Sequence, residues 1–331
     1  MTFRVGVFSD LRDSRGEPIF GRKPLHIFDQ PGISWEWVEG GYPEITPEIA
    51  AKYDALHINL QRVTENSVSG SGRRVKIFAR NGVGYDTVDV AACTRNGVLV
   101  TNTPLAVRRP VAVAALTLVF ALAGRLFEKD ELVRTNRWND RNDFMGYGLT
   151  TRTFGLIGAG SIGQEIMRLA KPFFGRMIAA DPFVDAGTVS ALGAELLPFD
   201  DVMRQSDFVV VCCLLTPETR HLIDARALSL MKPTAFYLNV GRGPIHDEAA
   251  LVAALRGGQI AGAGLDVTEV EPLPADSPLI GLKNTILTPH ALCWTDECFE
   301  DIATTALTSI VDALNGRRPK HLVDPEAWQN R

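Results

Sequence analysis

Phe154-Gly155-Leu156-Ile157-Gly158-Ala159-Gly160-Ser161-Ile162-Gly163 is the stretch on which the fold turns. A short apolar run leads into three glycines spaced G-x-G-x-x-G, and an amphipathic pattern continues through Ala170. That succession predicts a buried strand, a tight turn and a helix over Ile162–Ala170. Gly158 suits the turn, Gly160 lets a bound pyrophosphate approach the backbone, and Gly163 lets helix and strand pack closely. The helix N-terminus would present free N–H groups and the positive end of its dipole to phosphates. Eighteen residues past Gly163, Asp181 ends the strand candidate Met177–Ala180. A carboxylate there accepts from ribose hydroxyls and repels a 2′-phosphate, which points to NAD(H) rather than NADP(H). The glycine pattern alone is a weak signal; strand, helix and carboxylate in register make it specific.

The same rhythm continues on both sides. Downstream, Phe208–Cys213, Ala235–Val240, Ile260–Leu265 and Thr285–Thr288 read as further strands, giving six in a doubly wound dinucleotide-binding unit with Thr153–Ile157 and Met177–Ala180. Upstream, Arg4–Phe8, Ala55–Ile58, Val75–Ala79 and Val98–Thr101 are strand candidates, with helices over Pro47–Tyr53 and Val88–Asn96. Pro110 reads as the first residue of a buried helix running to Gly124-Arg125. Residues 124–150 are polar and break the rhythm, and Cys298–Leu314 is again helical. The expectation is an α/β chain of two Rossmann-like domains, flavodoxin-like plus doubly wound dinucleotide-binding, with a cleft between them. A discontinuous first domain, 1–102 plus 295–331, would hold an inserted domain, 103–294.

Composition narrows the function classes. The 331 residues are 46% hydrophobic and 22% charged, with 34 basic against 39 acidic side chains and a net charge of −5. This is the composition of a soluble globular protein, and the lack of a basic tract argues against nucleic acid as a partner. Cys93, Cys212, Cys213, Cys293 and Cys298 show no zinc-type pairing, so no metal site is expected and reduced thiols in a cytoplasm are the default. Cys212 and Cys213 continue a valine-rich run and read as small core residues. The N-terminus reads as a strand rather than a signal peptide. The apolar run Pro110–Ala123 falls short of the roughly twenty residues that span a bilayer.

Three side chains carry the chemistry. Arg242, in Asn239-Val240-Gly241-Arg242-Gly243, follows a strand at its carboxyl end, where α/β proteins place ligands. A guanidinium can fork onto a carboxylate and polarise the neighbouring ketone. Glu271, in Asp266-Val267-Thr268-Glu269-Val270-Glu271-Pro272, and His290, in Leu287-Thr288-Pro289-His290, form a carboxylate–imidazole combination. Such a carboxylate orients an imidazole and favours its protonated form, making it a proton donor near neutral pH. In Arg80-Asn81-Gly82-Val83-Gly84-Tyr85-Asp86 two glycines leave backbone N–H groups at a strand end, suited to an anion or equally to a simple turn. Arg108-Arg109, just before Pro110, would pair with acidic neighbours or meet a second negative group on a ligand.

Together these motifs resemble the D-isomer-specific 2-hydroxyacid dehydrogenase family, over most of the chain. Gly82, Gly84, Gly158, Gly160, Gly163, Asp181, Arg242, Asp266, Glu271 and His290 stand where the family pattern wants them, as do Asn102-Thr103-Pro104, Thr216-Pro217-Glu218-Thr219-Arg220 and Trp294-Thr295. The resemblance implies an NAD(H)-dependent oxidoreductase interconverting a D-2-hydroxyacid and its 2-oxoacid. In it Arg242, Glu271 and His290 are catalytic, and Val83, Gly84, Arg242 and His290 bind substrate. Gly158, Gly160, Ser161, Ile162, Gly163, Asp181, Cys213, Thr219, Val240, Gly241, Arg242, Asp266 and His290 would line the cofactor, with Asp266 near the nicotinamide. It also implies that 124–150 is a dimerisation arm and that the protein is a homodimer. Two departures stand out. Pro110-Val111-Ala112-Val113 replaces the usual Ser-Val-Ala-Glu, and no regulatory domain precedes the end at Arg331, which speaks against a feedback-regulated phosphoglycerate dehydrogenase. A corepressor that senses NAD(H) without catalysis and phosphite dehydrogenase share the trio and stand as alternatives.

Overall fold

The computed structural model describes residues 2–331. Contacts between Cα atoms divide the chain into one unit made of residues up to Val107 together with Trp294–Arg331, and a second of Arg108–Cys293. The first crossing lies five residues beyond the 102/103 boundary expected from sequence. Thr103 explains the difference: its N–H donates to the Gly82 carbonyl at 2.9 Å, and its hydroxyl accepts from the Gly82 N–H at 3.1 Å. The Asn102-Thr103-Pro104 segment is thereby tied to the first unit.

That first unit is a parallel five-stranded sheet: β1 (Phe3–Phe8), β2 (Ile33–Val38), β3 (Ala55–Ile58), β4 (Ile77–Arg80) and β5 (Leu99–Thr101). Its order, β2-β1-β3-β4-β5, is that of flavodoxin-like folds. One face packs Val5, Val7, Ala55 and Ile77 against Phe299, Ala303 and Leu307 of the helix Asp296–Leu314. The other buries Leu56, Ile58, Phe78 and Val100. β2 was not foreseen. It is an edge strand on which half-buried and exposed side chains alternate up to the buried Val38, so it lacks the continuous apolar run that marks the central strands.

The second unit holds β6 (Thr153–Ile157), β7 (Arg176–Ala180), β8 (Glu195–Leu196), β9 (Phe208–Val211), β10 (Phe236–Asn239), β11 (Gly262–Leu265) and β12 (Thr285–Leu287), all parallel. Their order is β12-β11-β10-β9-β6-β7-β8. From β6 the chain runs outward through β7 and β8, then crosses back to β9 on the other side. This reversal is the switch point at which doubly wound sheets bind nucleotides. β8, the strand missing from the sequence reading, has only two residues and so carries no periodic pattern.

Helix Arg108–Gly124 packs Ala112, Ala115, Leu118 and Val119 into this unit's core. A fully buried Leu or Val contributes on the order of 1.5–3 kcal/mol, so the packed face holds the helix. It begins two residues before Pro110, not at it. The first four N–H groups of a helix have no intrahelical acceptor, so proline in the third position costs the helix no hydrogen bond. At Arg125 the backbone turns left-handed (φ 50°) and a second helix, Leu126–Arg134, leaves at a sharp bend. Among the described residues no single helix is long and apolar enough to cross a membrane.

Candidate active site

The glycine turn is built on β6. Gly158 has φ +97°, in the region that side chains other than glycine rarely adopt, and its N–H donates to the Ala180 carbonyl of β7 at 2.9 Å. A Cβ on Gly163 would lie 2.1 Å from the Gly158 carbonyl oxygen, so helix and turn touch backbone to backbone. Around Gly160 a Cβ would meet nothing within 4 Å. Gly160 is also the N-cap of the helix Ser161–Ala170, and no side chain caps it. The first N–H groups of that helix therefore face open space beside a strand end, a cradle that fits a pyrophosphate.

Asp181 follows β7. Its Oδ2 accepts from the Ala159 N–H at 2.7 Å, and its Oδ1 from the Phe183 and Val184 N–H groups at 2.8 and 3.2 Å. The carboxylate thus pins the glycine turn, a role the sequence did not disclose, while ionised oxygens keep lone pairs for ribose hydroxyls. Cys212 and Cys213 are half-buried and pack against the two hydrophobic cores of this unit. The Cys212 thiol lies 3.1 Å from the Gly158 carbonyl oxygen, and a Cβ on Gly158 would sit 2.7 Å from the Cys213 Cα, so this pair forms the floor of the turn. Thr219 works inside its own loop, its hydroxyl donating to the Leu214 carbonyl at 2.6 Å and accepting from the Thr216 N–H at 2.7 Å.

The residues singled out in the sequence for chemistry sit at the carboxyl ends of three adjacent strands. Arg242 follows β10, Asp266 and Glu271 follow β11, and His290 follows β12. His290 Nδ1 lies 2.8 Å from Glu271 Oε2, and Glu271 Oε1 accepts from the Thr268 N–H at 3.1 Å. Burial pushes the Glu271 carboxyl up, but His290, the Thr268 amide and the Arg242 charge outweigh it and hold it below the ordinary range. An ionised carboxylate only accepts, so His290 carries a proton on Nδ1 and leaves Nε2 for a ligand.

His290 itself has φ 54°, a left-handed backbone that aims the ring. Asp266 maintains it. This carboxylate is 4% exposed, and its Oδ1 accepts from the Thr288 hydroxyl at 2.6 Å and the Ala291 and Leu292 N–H groups at 3.1 Å each. Sequence reading set Asp266 beside the nicotinamide; the structure adds that it grips the His290 loop from both sides. The Arg242 loop is held just as closely. A Cβ on Gly243 would lie 1.8 Å from the Thr268 carbonyl oxygen, so this segment and the one carrying Glu271 are in backbone contact. Asn239, which the sequence reading passed over as a strand residue, is fully buried beneath Val240, Gly241 and Arg242. A buried amide just ahead of the Gly-Arg-Gly turn was the available signal.

Val83 and Gly84 belong to the first unit, in the loop after β4. The Asn102 side chain donates to the Val83 carbonyl at 2.8 Å and fixes that loop, with its two amides left to other acceptors. Arg109 donates to Glu165 at 2.8 Å, and Arg168 pairs with the same carboxylate. Glu165 is 5% exposed, and its carboxyl is held below the ordinary range by Arg109 first, against the opposing effect of burial.

Comparison with known proteins agrees with this architecture. Residues 116–291 match the family described as D-isomer specific 2-hydroxyacid dehydrogenase, NAD binding domain. The chain is 39% identical over 294 residues to a glyoxylate reductase of Thermococcus onnurineus, covering 87% of this chain and 88% of that one. It is 38% identical over 286 residues to a D-3-phosphoglycerate dehydrogenase of Mycobacterium leprae, covering 86% of this chain and 53% of that longer protein. The crystal structure of a glyoxylate reductase from Paecilomyes thermophila matches with a TM-score of 0.82 at 26% identity, over 98% of this chain and 99% of that one. Glycine cradle, matched family and full-length likeness lead to one conclusion: the chain belongs to the D-isomer-specific 2-hydroxyacid dehydrogenase family and is an NAD-dependent oxidoreductase with NAD(H) as its cofactor.

Proposed function

We propose that this enzyme reduces small 2-oxoacids carrying a single carboxylate, glyoxylate first among them, to the corresponding 2-hydroxyacids. The observation that carries the reading is the 2.8 Å contact of His290 with Glu271, packed against the Arg242 loop at the ends of β10, β11 and β12. NADH supplies a hydride to C2 of the ketone. His290 Nε2 gives the proton to the ketone oxygen, so oxoacid, NADH and one proton become hydroxyacid and NAD⁺. Glu271 stabilises the imidazolium and holds its orientation, while Arg242 takes the developing alkoxide and one carboxylate oxygen. The Val83 and Gly84 amides are assigned to the same carboxylate. Glyoxylate reductases among the relatives support the substrate choice. So does Arg109, because one of the two cations that sequence offered for a second negative group, Arg108 and Arg109, is already engaged by a buried carboxylate.

A panel of glyoxylate, hydroxypyruvate, pyruvate, phosphonooxypyruvate and a bulkier 2-oxoacid, each with NADH and NADPH, tests the reading. The highest kcat/KM is expected for glyoxylate or hydroxypyruvate with NADH. Preference for the doubly charged phosphonooxypyruvate would refute the substrate assignment.

The same proposal includes a homodimer in the cytoplasm. Val113, Phe120, Leu126, Phe127, Val133 and Trp138 expose apolar side chains along two consecutive helices and the turn after them, which supports an apolar contact face there. Sedimentation equilibrium of the wild type and of Phe127→Glu is expected to give dimer and monomer; a monomeric wild type would remove this part of the proposal.

A further inference from the structure

His246 lies on the strand-like segment behind the Arg242 loop, after the short turn Gly243–Ile245, and bridges Ile223 through the backbone. Its side chain is completely buried. Nδ1 faces two groups, the Asn239 amide nitrogen at 2.9 Å and the Tyr237 hydroxyl at 3.4 Å, and Nε2 has no hydrogen-bond partner. Burying Nε2 without a partner is unfavourable. The return for burying an imidazole therefore has to come from Nδ1.

Asn239 shows what that return is. Its side-chain oxygen accepts from the Gly241 N–H at 2.9 Å, and its amide nitrogen donates to the Arg242 carbonyl at 2.9 Å. An amide NH₂ has two hydrogens, and the second points at His246 Nδ1. Nδ1 must then be the acceptor, with the ring proton on Nε2. This arrangement determines which way round the Asn239 amide sits. Reversed, it would set an N–H against the Gly241 N–H and an oxygen against the Arg242 carbonyl. Asn239 thus holds the Val240–Gly241 and Arg242–Gly243 peptides, on either side of the Gly241–Arg242 link, and the Arg242 guanidinium itself leans on the Gly241 carbonyl, Nη1 donating at 3.0 Å.

We infer that His246 is a positioning residue for Arg242, fixing the guanidinium through Asn239 and the Gly241–Arg242 backbone. This rests on the substrate-binding role proposed above for Arg242. The relay makes no hydrogen bond to the glycine turn, although Gly241 packs close to the Cys213 carbonyl beneath it, so its loss acts more on the oxoacid than on the cofactor. A misplacement of about 1 Å at a substrate-orienting group costs up to about a hundredfold in rate.

Three variants and one measurement on the wild type test it. His246→Leu removes the acceptor and is expected to raise KM for the oxoacid about tenfold or more, with a clearly smaller change in the NADH dissociation constant. His246→Asn places a carbonyl oxygen near the former Nδ1 and is expected to restore most of kcat/KM. Nitrogen-15 NMR of the wild-type histidines is expected to show the tautomer with Nδ1 unprotonated at His246, whether or not the leucine variant folds. Wild-type kinetics in His246→Leu, equal loss of oxoacid and NADH affinity without rescue by asparagine, or a proton on Nδ1 would each overturn the inference. Arg242→Ala separates the two levels. If it retains wild-type kcat/KM, the role given to Arg242 fails. If it loses activity while His246→Leu does not, the positioning role alone fails.

Discussion

At the scale of single residues, the expected behaviour of His290 follows from which nitrogen is free. With Nδ1 given to Glu271, Nε2 is the only ring atom able to transfer a proton. His290→Ala should lower kcat by at least about a hundredfold and leave NADH binding nearly intact, since a general acid–base group contributes about 10²–10⁴. Glu271→Gln tests the partner separately. In the wild type this carboxyl titrates below its ordinary range, so it is ionised throughout neutral pH and loses its charge only in stronger acid. The amide keeps an acceptor oxygen but removes the charge that favours an imidazolium. In the proposed mechanism reduction needs the protonated ring, so the alkaline limb of its kcat/KM profile should move to lower pH. Stopped-flow kinetics across pH 5–9 check both variants; unchanged turnover and an unchanged profile would leave the proton transfer unexplained.

Among elements, the glycine turn and the end of β7 act as one device. Asp181 Oδ2 takes the Ala159 N–H, so the residue that would discriminate against a 2′-phosphate also shapes the phosphate loop. Asp181→Ala should therefore do two things: narrow the preference for NADH over NADPH, and weaken binding of both through a looser turn. Steady-state kinetics with each cofactor decide it, and a wild type that already favours NADPH would contradict the assignment. This element was legible from sequence because its three signals are local: an apolar strand, glycines at fixed spacing and a carboxylate on the next strand. β2 was not legible, since Ile33-Ser34-Trp35-Glu36-Trp37-Val38 lies at an edge and alternates in exposure. Nor was the grip of Asp266 on the His290 loop, which joins residues 22 to 26 positions apart and exists only once β11 and β12 pair. Arg242, Glu271 and His290 were found by motif; what orients them was not, because supporting bonds of this kind leave no periodic trace.

For the molecule as a whole, each compact unit carries a fully buried neutral histidine, and this links stability to pH. His57 on β3 is completely buried, with Phe20 beside it and no hydrogen-bond partner for either ring nitrogen. Burial, aided by the nearby Arg80 charge and opposed by Asn81, lowers its pKa to about 3. His246 in the other unit is lowered to about 4, again chiefly by burial. Unfolded, both titrate near 6.5. Between about pH 6.5 and 4 the unfolded chain therefore binds a proton at each histidine that the native chain does not. Stability is fully present above that window and falls as pH drops through it, by roughly 1.4 kcal/mol per pH unit per histidine well inside it. Below about pH 4 the native His246 also protonates and its share levels off, while that of His57 persists to about pH 3. The interval from pH 6.5 to 5 separates the effect from carboxylate titration, because most carboxylates stay ionised there in both states, and the His57→Leu variant separates it from the other histidines. Urea unfolding at these two pH values should show a clear loss of stability for the wild type. His57→Leu should show a smaller loss, the difference between the two proteins being the share of His57. Equal pH dependence in wild type and His57→Leu would mean that His57 binds its proton in the folded protein, and that its burial is less complete in solution.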